Sequence, residues 1–249
     1  MGTAQWQYVL PKKLKSAPLN AMSAVAKWSD MIYADMKLAE GLCSPPARIF
    51  NGDARTCDGI ADGWATLVVT SPPYPNNYDY ADATRLEMTF MGEIGGWSDL
   101  QESVRKHLVR SCSQHVPESA INLGDVLSTP ELDPIRTDLS EVCRQLSSVR
   151  EFHGGRKTYH LMVGCYFRDL AQVWHALRRV TSPGATVCFV IGDSAPYGVY
   201  VPVVPWLGRL ALSAGFHSFS FDKTRDRNVK WKNRKHRVPL QEGRLWVEG

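Results

Sequence analysis

Two short aliphatic segments constrain the fold of this 249-residue chain more than any other feature of its sequence. Residues 65–70 and 186–191 are continuous runs of β-branched and aliphatic side chains, each with the length of a strand. Such runs are typical of strands covered on both faces in a parallel sheet. Between them, residues 158–180 repeat apolar side chains at helical spacing. The order strand, helix, strand predicts an α/β fold with a mainly parallel sheet.

Weaker patterns complete the outline of the chain. We expect a lead-in and one helix over residues 1–46, followed by a single domain portion over residues 47–249. Within that portion, the polar stretch 93–155 predicts a helical insertion for target recognition or partner docking. The remaining predicted elements are helices over residues 21–42, 82–91, 99–112, 137–149 and 203–214 and strands over residues 47–51, 217–221 and 244–247.

Composition excludes several classes of protein. Apolar residues make up 44% and charged residues 22% of the chain, so it is neither disordered nor collagen-like. No run approaches 18 consecutive apolar residues, and the N-terminus lacks the pattern of a secretory signal. The cysteines show no C-x-x-C spacing, which favours reduced thiols in a cytoplasmic protein without a metal site. They are Cys43, Cys57, Cys112, Cys143, Cys165 and Cys188.

The positive charge of the chain is concentrated near its C-terminus. Residues 217–249 carry nine lysines and arginines but four acids, whereas the rest of the chain is close to neutral. Trp231 and Asn233 lie among these cations, which is the pattern of a segment that follows a phosphate backbone. A solvated basic surface is the alternative. The cations predicted to contact nucleic acid are Lys223, Arg225, Arg227, Lys230, Lys232, Arg234, Lys235 and Arg237.

The sequence Thr70-Ser71-Pro72-Pro73-Tyr74 ends the first aliphatic run. In open α/β sheets, ligands bind outside the carboxyl ends of the strands, so this loop lies where a site is expected. The two prolines fix φ and remove two backbone donors. A serine hydroxyl, carbonyl acceptors and an aromatic ring remain, and this set suits a flat heterocycle with an exocyclic amine. A proline-rich turn with a buried tyrosine is the structural alternative.

The tetrapeptide Ser71-Pro72-Pro73-Tyr74 resembles the (Asp/Asn/Ser)-Pro-Pro-(Tyr/Phe/Trp) signature of amino-methyltransferases. These enzymes use S-adenosylmethionine to methylate the exocyclic nitrogen of adenine or cytosine in DNA. Residues 51–55, 74–87 and 182–216 resemble further segments of the same family. The resemblance implies a partial Rossmann-like, class I methyltransferase fold. It also implies the catalytic residues Ser71, Pro72, Pro73 and Tyr74 and the cofactor-binding residues Asp53, Thr70 and Ser71.

The resemblance also implies a mechanism. The target base leaves the DNA helix and enters the site, where Tyr74 stacks on it. The Ser71 side chain and the Pro72 carbonyl accept hydrogen bonds from the amine, and Asp53 binds the adenine amine of the cofactor. Serine at the first motif position resembles the cytosine-N4 subgroup, with adenine N6 as the alternative. The same motif is also compatible with methylation of RNA and with a non-catalytic DNA-binding subunit of a defence complex.

One family feature is missing from the sequence. These enzymes hold the cofactor with a glycine-rich turn of the type Phe-x-Gly-x-Gly after their first strand, and no such turn is present. The glycines of residues 92–96 follow a helical pattern, and those of residues 153–155 lie in polar surroundings. The chain is therefore expected to be one subunit of a split, restriction–modification-type enzyme, a fragment, or a non-catalytic homologue. Its Met1 start and intact motif favour the first, with a second protein subunit supplying the missing strands.

Overall fold

The computed structural model describes residues 19–42, 45–154, 157–227 and 238–249. The described residues divide into two compact units, one that ends at Asn51 and one that begins at Gly52. Across the described residues, no helix is both long and apolar enough to cross a lipid bilayer. The five cysteines in this part of the chain are unpaired, and Cys43 lies outside it.

The smaller unit contains helix α1, Ala21–Ala39. Its N-terminus is capped by the Asn20 side chain, which accepts a hydrogen bond of 2.8 Å from the Ser23 amide. The helix ends three residues before its predicted end, because Glu40 is extended and Gly41 adopts a φ of 90°. The glycine, rather than the prolines that follow, terminates it.

The larger unit is built on a four-stranded sheet with the order β1-β2-β4-β3. Strand β1 is parallel to β2, and β4 runs antiparallel to both of its neighbours. Three of the four strands consequently run in one direction, so the predicted α/β class with a partial Rossmann-like sheet is confirmed. The strands are β1 Ala65–Thr70, β2 Thr181–Gly192, β3 Ser218–Arg227 and β4 Leu240–Glu248.

Helices of unequal length surround this sheet. They are α2 Tyr80–Ala83, α3 Arg85–Phe90, α4 Asp99–Ser103, α5 Leu123–Leu127, α6 Arg136–Arg150, α7 Tyr159–Val180 and α8 Val203–Ser213. The predicted helix over residues 82–91 is divided into α2 and α3 at Thr84, and the one over 99–112 extends only through α4 before 3-10 turns take over.

Helix α7 forms the centre of the hydrophobic core. Trp174 in this helix stacks on Phe189 of β2, with ring centroids 4.4 Å apart. Leu139, Cys143 and Leu146 of α6 are fully buried in the same core. The C-terminal part of the stretch 93–155 is therefore integrated with the sheet domain through apolar packing.

Two predictions about strands were wrong. Residues 47–51 form no strand, and the Ile49 side chain is 94% exposed. Strand β1 is not covered on both faces, because Leu67 and Val69, which share one face of the strand, are 58% and 66% exposed. An aliphatic run shows that a strand is suited to burial, but the elements that pack on the sheet decide whether each face is covered.

Candidate active site

The loop Ser71–Tyr74 follows β1 and is fastened to the end of β2. The Ser71 hydroxyl donates a hydrogen bond of 3.2 Å to the Val190 carbonyl. The buried Ser194 hydroxyl donates one of 2.6 Å to the Pro75 carbonyl. Because β1 and β2 are parallel neighbours, their carboxyl ends meet here, and the binding of a ligand at this edge stays a prediction.

The far end of the loop is held by the segment between α4 and α5. Asn77 has a φ of 64°, a conformation that asparagine tolerates better than most residues. Its side-chain oxygen accepts hydrogen bonds from the Ser113 amide at 2.9 Å and the Ser113 hydroxyl at 2.6 Å. Its own amide donates to the Ser111 carbonyl at 3.1 Å. A turn that carries no chemistry itself thus fixes the course of the motif loop.

Asp79 is the centre of a buried ion-pair network behind this loop. Its side chain accepts hydrogen bonds from the Arg105 guanidinium at 2.7 and 3.2 Å and contacts His115 Nε2 at 3.2 Å. It also caps α2 by accepting from the Ala81 and Asp82 amides. Burial alone would raise the pKa of Asp79, but the hydrogen bonds from His115 and Arg105 and the Arg105 charge lower it to about 2.

Part of this network has the composition of a metal site. Within the described residues, ligand atoms of Asp79, Cys112 and His115 lie within 4.8 Å of one another, and all three residues are buried. However, Arg105 already neutralises Asp79, and its positive charge would repel a cation at this position. We therefore interpret the cluster as a structural ion-pair network.

Tyr74 is half-buried, and one face of its ring is covered by Arg227. The guanidinium carbon lies 4.8 Å from the ring centroid, within the range of a cation–π contact. Arg227 also donates to the Asp193 carbonyl at 2.7 Å and pairs with Glu242 at 3.6 Å. Burial raises the pKa of Tyr74, so its hydroxyl remains protonated at neutral pH.

The predicted basic residues are thus not equivalent in the structure. The side chain of Arg227 is 16% exposed and belongs to the surroundings of Tyr74. Lys223 and Arg225 are exposed and form ion pairs with Asp226 and Glu242. Lys230, Lys232, Arg234, Lys235 and Arg237 lie outside the described residues.

A cavity of about 170 Å³ is lined by Asn76, the second residue after Tyr74, and by Asp193 and Ser194, which follow β2. Asp193 and Tyr159 are not among the site residues predicted from the sequence. The position of Asp193 directly after β2 was the available signal, because that strand end was expected to face a ligand. Residues that line the cavity include Asn76, Tyr159, Asp193, Ser194, Arg227 and Leu240.

The residues predicted to bind the cofactor do not form an evident binding site. Both carboxylate oxygens of Asp53 accept hydrogen bonds from the Arg55 side chain, at 2.6 to 2.9 Å, and these bonds lower the pKa of Asp53. Thr70 is exposed at the end of β1. Among the described residues, no hydrogen bond joins Asp53 to Ser71–Tyr74. The cofactor roles of Asp53, Thr70 and Ser71 stay predictions.

Comparison with known proteins identifies a relative by sequence. The chain is 27% identical over 168 residues to the Type II methyltransferase M.BsoBI of Geobacillus stearothermophilus. The alignment covers 63% of this chain and 32% of that protein, so the chain spans about a third of the length of this relative. No protein-family model matches the chain.

Two crystal structures of a candidate DNA modification methylase from Thermus thermophilus also align with the chain. Each alignment covers 79% of this chain and 50% or 51% of that protein, with 13% or 15% identity and a TM-score of 0.32. This similarity is too weak to support a conclusion about function.

Proposed function

We propose that this chain is the catalytic part of a DNA amino-methyltransferase that uses S-adenosylmethionine, with cytosine N4 as the target. The observation that carries the proposal is the motif Ser71-Pro72-Pro73-Tyr74 at the carboxyl end of β1, held against the end of β2. The sequence relationship to a type II methyltransferase supports it. Serine at the first motif position favours cytosine over adenine.

The motif loop would bind and orient the amine. Ser71 donates its hydroxyl proton to the Val190 carbonyl and also interacts with the Tyr74 hydroxyl, so one lone pair of its oxygen would accept from an N–H group. Pro72 and Pro73 have no backbone N–H group that could compete with the amine for nearby acceptors. The Pro72 carbonyl would therefore serve as a second acceptor for the amine. The Tyr74 ring would supply a flat surface on which the base stacks. Because Arg227 covers one face of this ring, the base would stack on the opposite face or take the place of the Arg227 side chain.

The described residues fit only part of a cofactor site. They contain no glycine-rich turn after a strand, and Arg55 occupies the carboxylate of Asp53. S-adenosylmethionine would supply the methyl group, but these residues alone do not form a cradle for it. We accordingly derive no step of the reaction through the cofactor.

The edge of β1 is where we propose that the missing part binds. Among the described residues, no strand pairs with the outer edge of β1, and Trp64, Leu67 and Val69 are 63%, 58% and 66% exposed. Free strand edges and exposed apolar side chains are typical of surfaces that another segment covers. A second protein subunit with the first strands and the glycine-rich turn would complete the sheet; a further segment of a longer polypeptide is the alternative.

A methyl-transfer assay tests the proposed function. The tagged chain is purified from its source with the proteins that accompany it, and is incubated with S-adenosylmethionine labelled in the methyl group. DNA and RNA substrates are then hydrolysed to nucleosides and analysed by mass spectrometry. We expect N4-methylcytosine in DNA. N6-methyladenine or a methylated RNA base would correct the target, and the absence of any methylated base would contradict the proposal.

Calorimetry tests the proposed second subunit separately. S-adenosylmethionine is titrated into the purified chain and into the complex. We expect binding by the complex and none by the chain alone. Micromolar binding by the chain alone would mean that its cofactor site is complete, and the two-subunit proposal would be wrong.

Removing one positive charge tests whether the cations of residues 223–237 contact DNA phosphates. We expect Arg225→Gln to weaken DNA binding at all sequences and to reduce the slope of log affinity against log salt by about 1, because one phosphate contact is lost. Arg144→Gln is the matched control. Both arginines are exposed, at 69% and 67%, and both pair with a glutamate at 2.6 Å. Equal salt slopes for the two variants, measured by fluorescence anisotropy, would exclude a phosphate contact at Arg225.

A further inference from the structure

A second cavity, of about 260 Å³, has a strongly basic lining that includes none of Ser71–Tyr74. Seven of the described residues line it; four of them are basic and none is acidic. The basic residues are Arg55, Arg105, Lys106 and Arg110. All the lining residues except Arg55 belong to the stretch 93–155, which the proposed function does not use. A cavity wall of this composition favours an anion.

Carboxylates outside the cavity hold its three arginines in place. The pairs are Asp53–Arg55, Asp79–Arg105 and Asp169–Arg110. None of these carboxylates lines the cavity, and the side chains of Asp79 and Asp169 are fully buried. The guanidinium groups are thus fixed from behind before any ligand arrives. Donors that are already ordered lose little conformational freedom when they bind.

Two of the arginines have a donor group left over. Arg105 uses Nε and Nη2 to bind Asp79 and Gln114, and Arg110 uses the same two nitrogens to bind Asp169. Neither Nη1 atom has a hydrogen-bond partner among the described residues, and neither is one of the polar atoms that the protein encloses completely. Both are therefore accessible N–H donors, of the kind that bind oxyanions.

Lys106 supplies the positive charge that the three carboxylates do not balance. Its amine donates a hydrogen bond of 3.1 Å to Glu102. The two side chains are 50% and 79% exposed, so solvent screens this pair and Glu102 compensates the lysine only weakly. An ammonium group has three donors, and two of them remain for a ligand.

We infer that this cavity binds a phosphate group, with the Nη1 groups of Arg105 and Arg110 and the Lys106 amine donating to its oxygens. A phosphate group offers several acceptor oxygens, which suits donors that come from three different side chains. The group belongs either to a DNA backbone or to a free nucleotide, and the two sources are separated below. Because Arg105 also binds Asp79, an occupant would be linked to the motif loop through one side chain. The inference does not depend on methyl transfer.

Titration of inorganic phosphate into the full chain tests this site. The ionic strength is held constant with sodium chloride, and binding is followed by NMR chemical shifts. We expect the amide signals of Lys106 and Arg110 to shift and to saturate with phosphate, but not with chloride. A failure to saturate, or the same shifts with chloride, would overturn the inference.

Removing the unbalanced charge assigns the binding to this cavity. Lys106→Gln should weaken phosphate binding about fivefold or more, because one charge-assisted hydrogen bond is lost at a half-exposed position. Lys27→Gln is the matched control, since it makes the same change at an exposed position of α1 and should bind phosphate as the wild type does. Equal affinities for the two variants would show that the phosphate binds elsewhere.

A second variant tests the direction of the hydrogen bonds at constant charge. Arg110→Lys keeps a positive charge beside the buried Asp169 but removes the Nη1 donor, so phosphate binding should fall several-fold. Circular dichroism checks that the variant is folded. Wild-type affinity in the folded variant would contradict the role of Arg110. Lys106→Gln keeps the inference testable if the arginine variant does not fold.

Binding of duplex DNA and of adenosine monophosphate identifies the source of the phosphate. For a backbone phosphate, Lys106→Gln should lower the slope of log DNA affinity against log salt by about 1. For a free nucleotide, the variant should bind adenosine monophosphate about fivefold more weakly and DNA as the wild type does. Wild-type binding of both ligands and of inorganic phosphate would overturn the site. None of these measurements involves methyl transfer, so their failure is distinct from failure of the proposed enzyme.

Discussion

Replacing Asp79 by asparagine is expected to destabilise the sheet domain by about 3–5 kcal/mol, the usual cost of removing one partner from a buried ion pair. The substitution preserves the shape of the side chain and removes its charge. Arg105, which is 6% exposed, would keep a buried charge without its partner. The loop from Tyr74 to Asp79 would lose its ion pair with the segment that follows α4 and keep the hydrogen bonds of Asn77. Urea denaturation of the wild type and the variant measures the difference.

An exposed ion pair provides the control for this prediction. Lys106 and Glu102 form a pair at 3.1 Å, with side chains 50% and 79% exposed. Glu102→Gln should change the free energy of unfolding by at most about 1 kcal/mol. Similar losses in the Asp79 and Glu102 variants would show that the buried network contributes no more than a surface pair.

The same network predicts a dependence on pH. The pKa of Asp79 is lowered to about 2 in the folded protein, below the ordinary value of 3.8. Its contribution to stability is therefore present above the unfolded pKa and is lost as the pH falls through the folded one. The stability difference between wild type and Asp79→Asn should shrink between about pH 5 and pH 2. A difference that stays constant over this range would contradict the assignment.

Removing the aromatic ring of Tyr74 is expected to have the largest effect on activity. Stacking of a base on an aromatic ring contributes about 1–3 kcal/mol, so Tyr74→Ala should reduce kcat/KM for methyl transfer by about 5- to 150-fold. Tyr74→Phe keeps the ring that holds both the base and Arg227, and should remain within a few-fold of wild type. The assay uses the complex in which wild-type activity is observed.

Two further measurements distinguish the loss of base stacking from a loss of folding or of DNA binding. Tyr74→Ala should retain the wild-type salt slope for DNA binding, because Tyr74 makes no phosphate contact in the proposed arrangement. Circular dichroism of both variants checks the fold. Full activity of a folded Tyr74→Ala variant would exclude the ring as the platform for the base.

The strongest local patterns in the sequence correctly located the elements that frame the site. Strand β1 has the predicted bounds, and α7 begins one residue after its predicted start. Aliphatic runs and helical spacing are properties of neighbouring residues, so a single segment carries the information. The prolines and tyrosine after β1 likewise marked the end of the sheet where the cavity lies.

Secondary structure was predicted less accurately where the sequence pattern was short or weak. Residues 47–51 have the side chains of a strand but form none, and the helix predicted over residues 82–91 is interrupted at Thr84. Local propensity in such short segments is small compared with the effect of the surrounding packing. The position of β1 at the edge of the sheet likewise depends on the order in which the strands pair, which local propensity does not predict.

The sequence by itself determined the α/β class, the main strands and the central helix, and the position of the motif loop, because these depend on side chains close together in the chain. Only the tertiary structure decided that Asp79 binds Arg105 and His115, 26 and 36 residues away, that Arg227 covers Tyr74, and that Asp193 and Tyr159 share a cavity. Each of these depends on the packing of segments distant in sequence. Hydrogen bonds and ion pairs between such segments leave no periodic pattern in the amino-acid sequence, since their geometry exists only after the chain has folded.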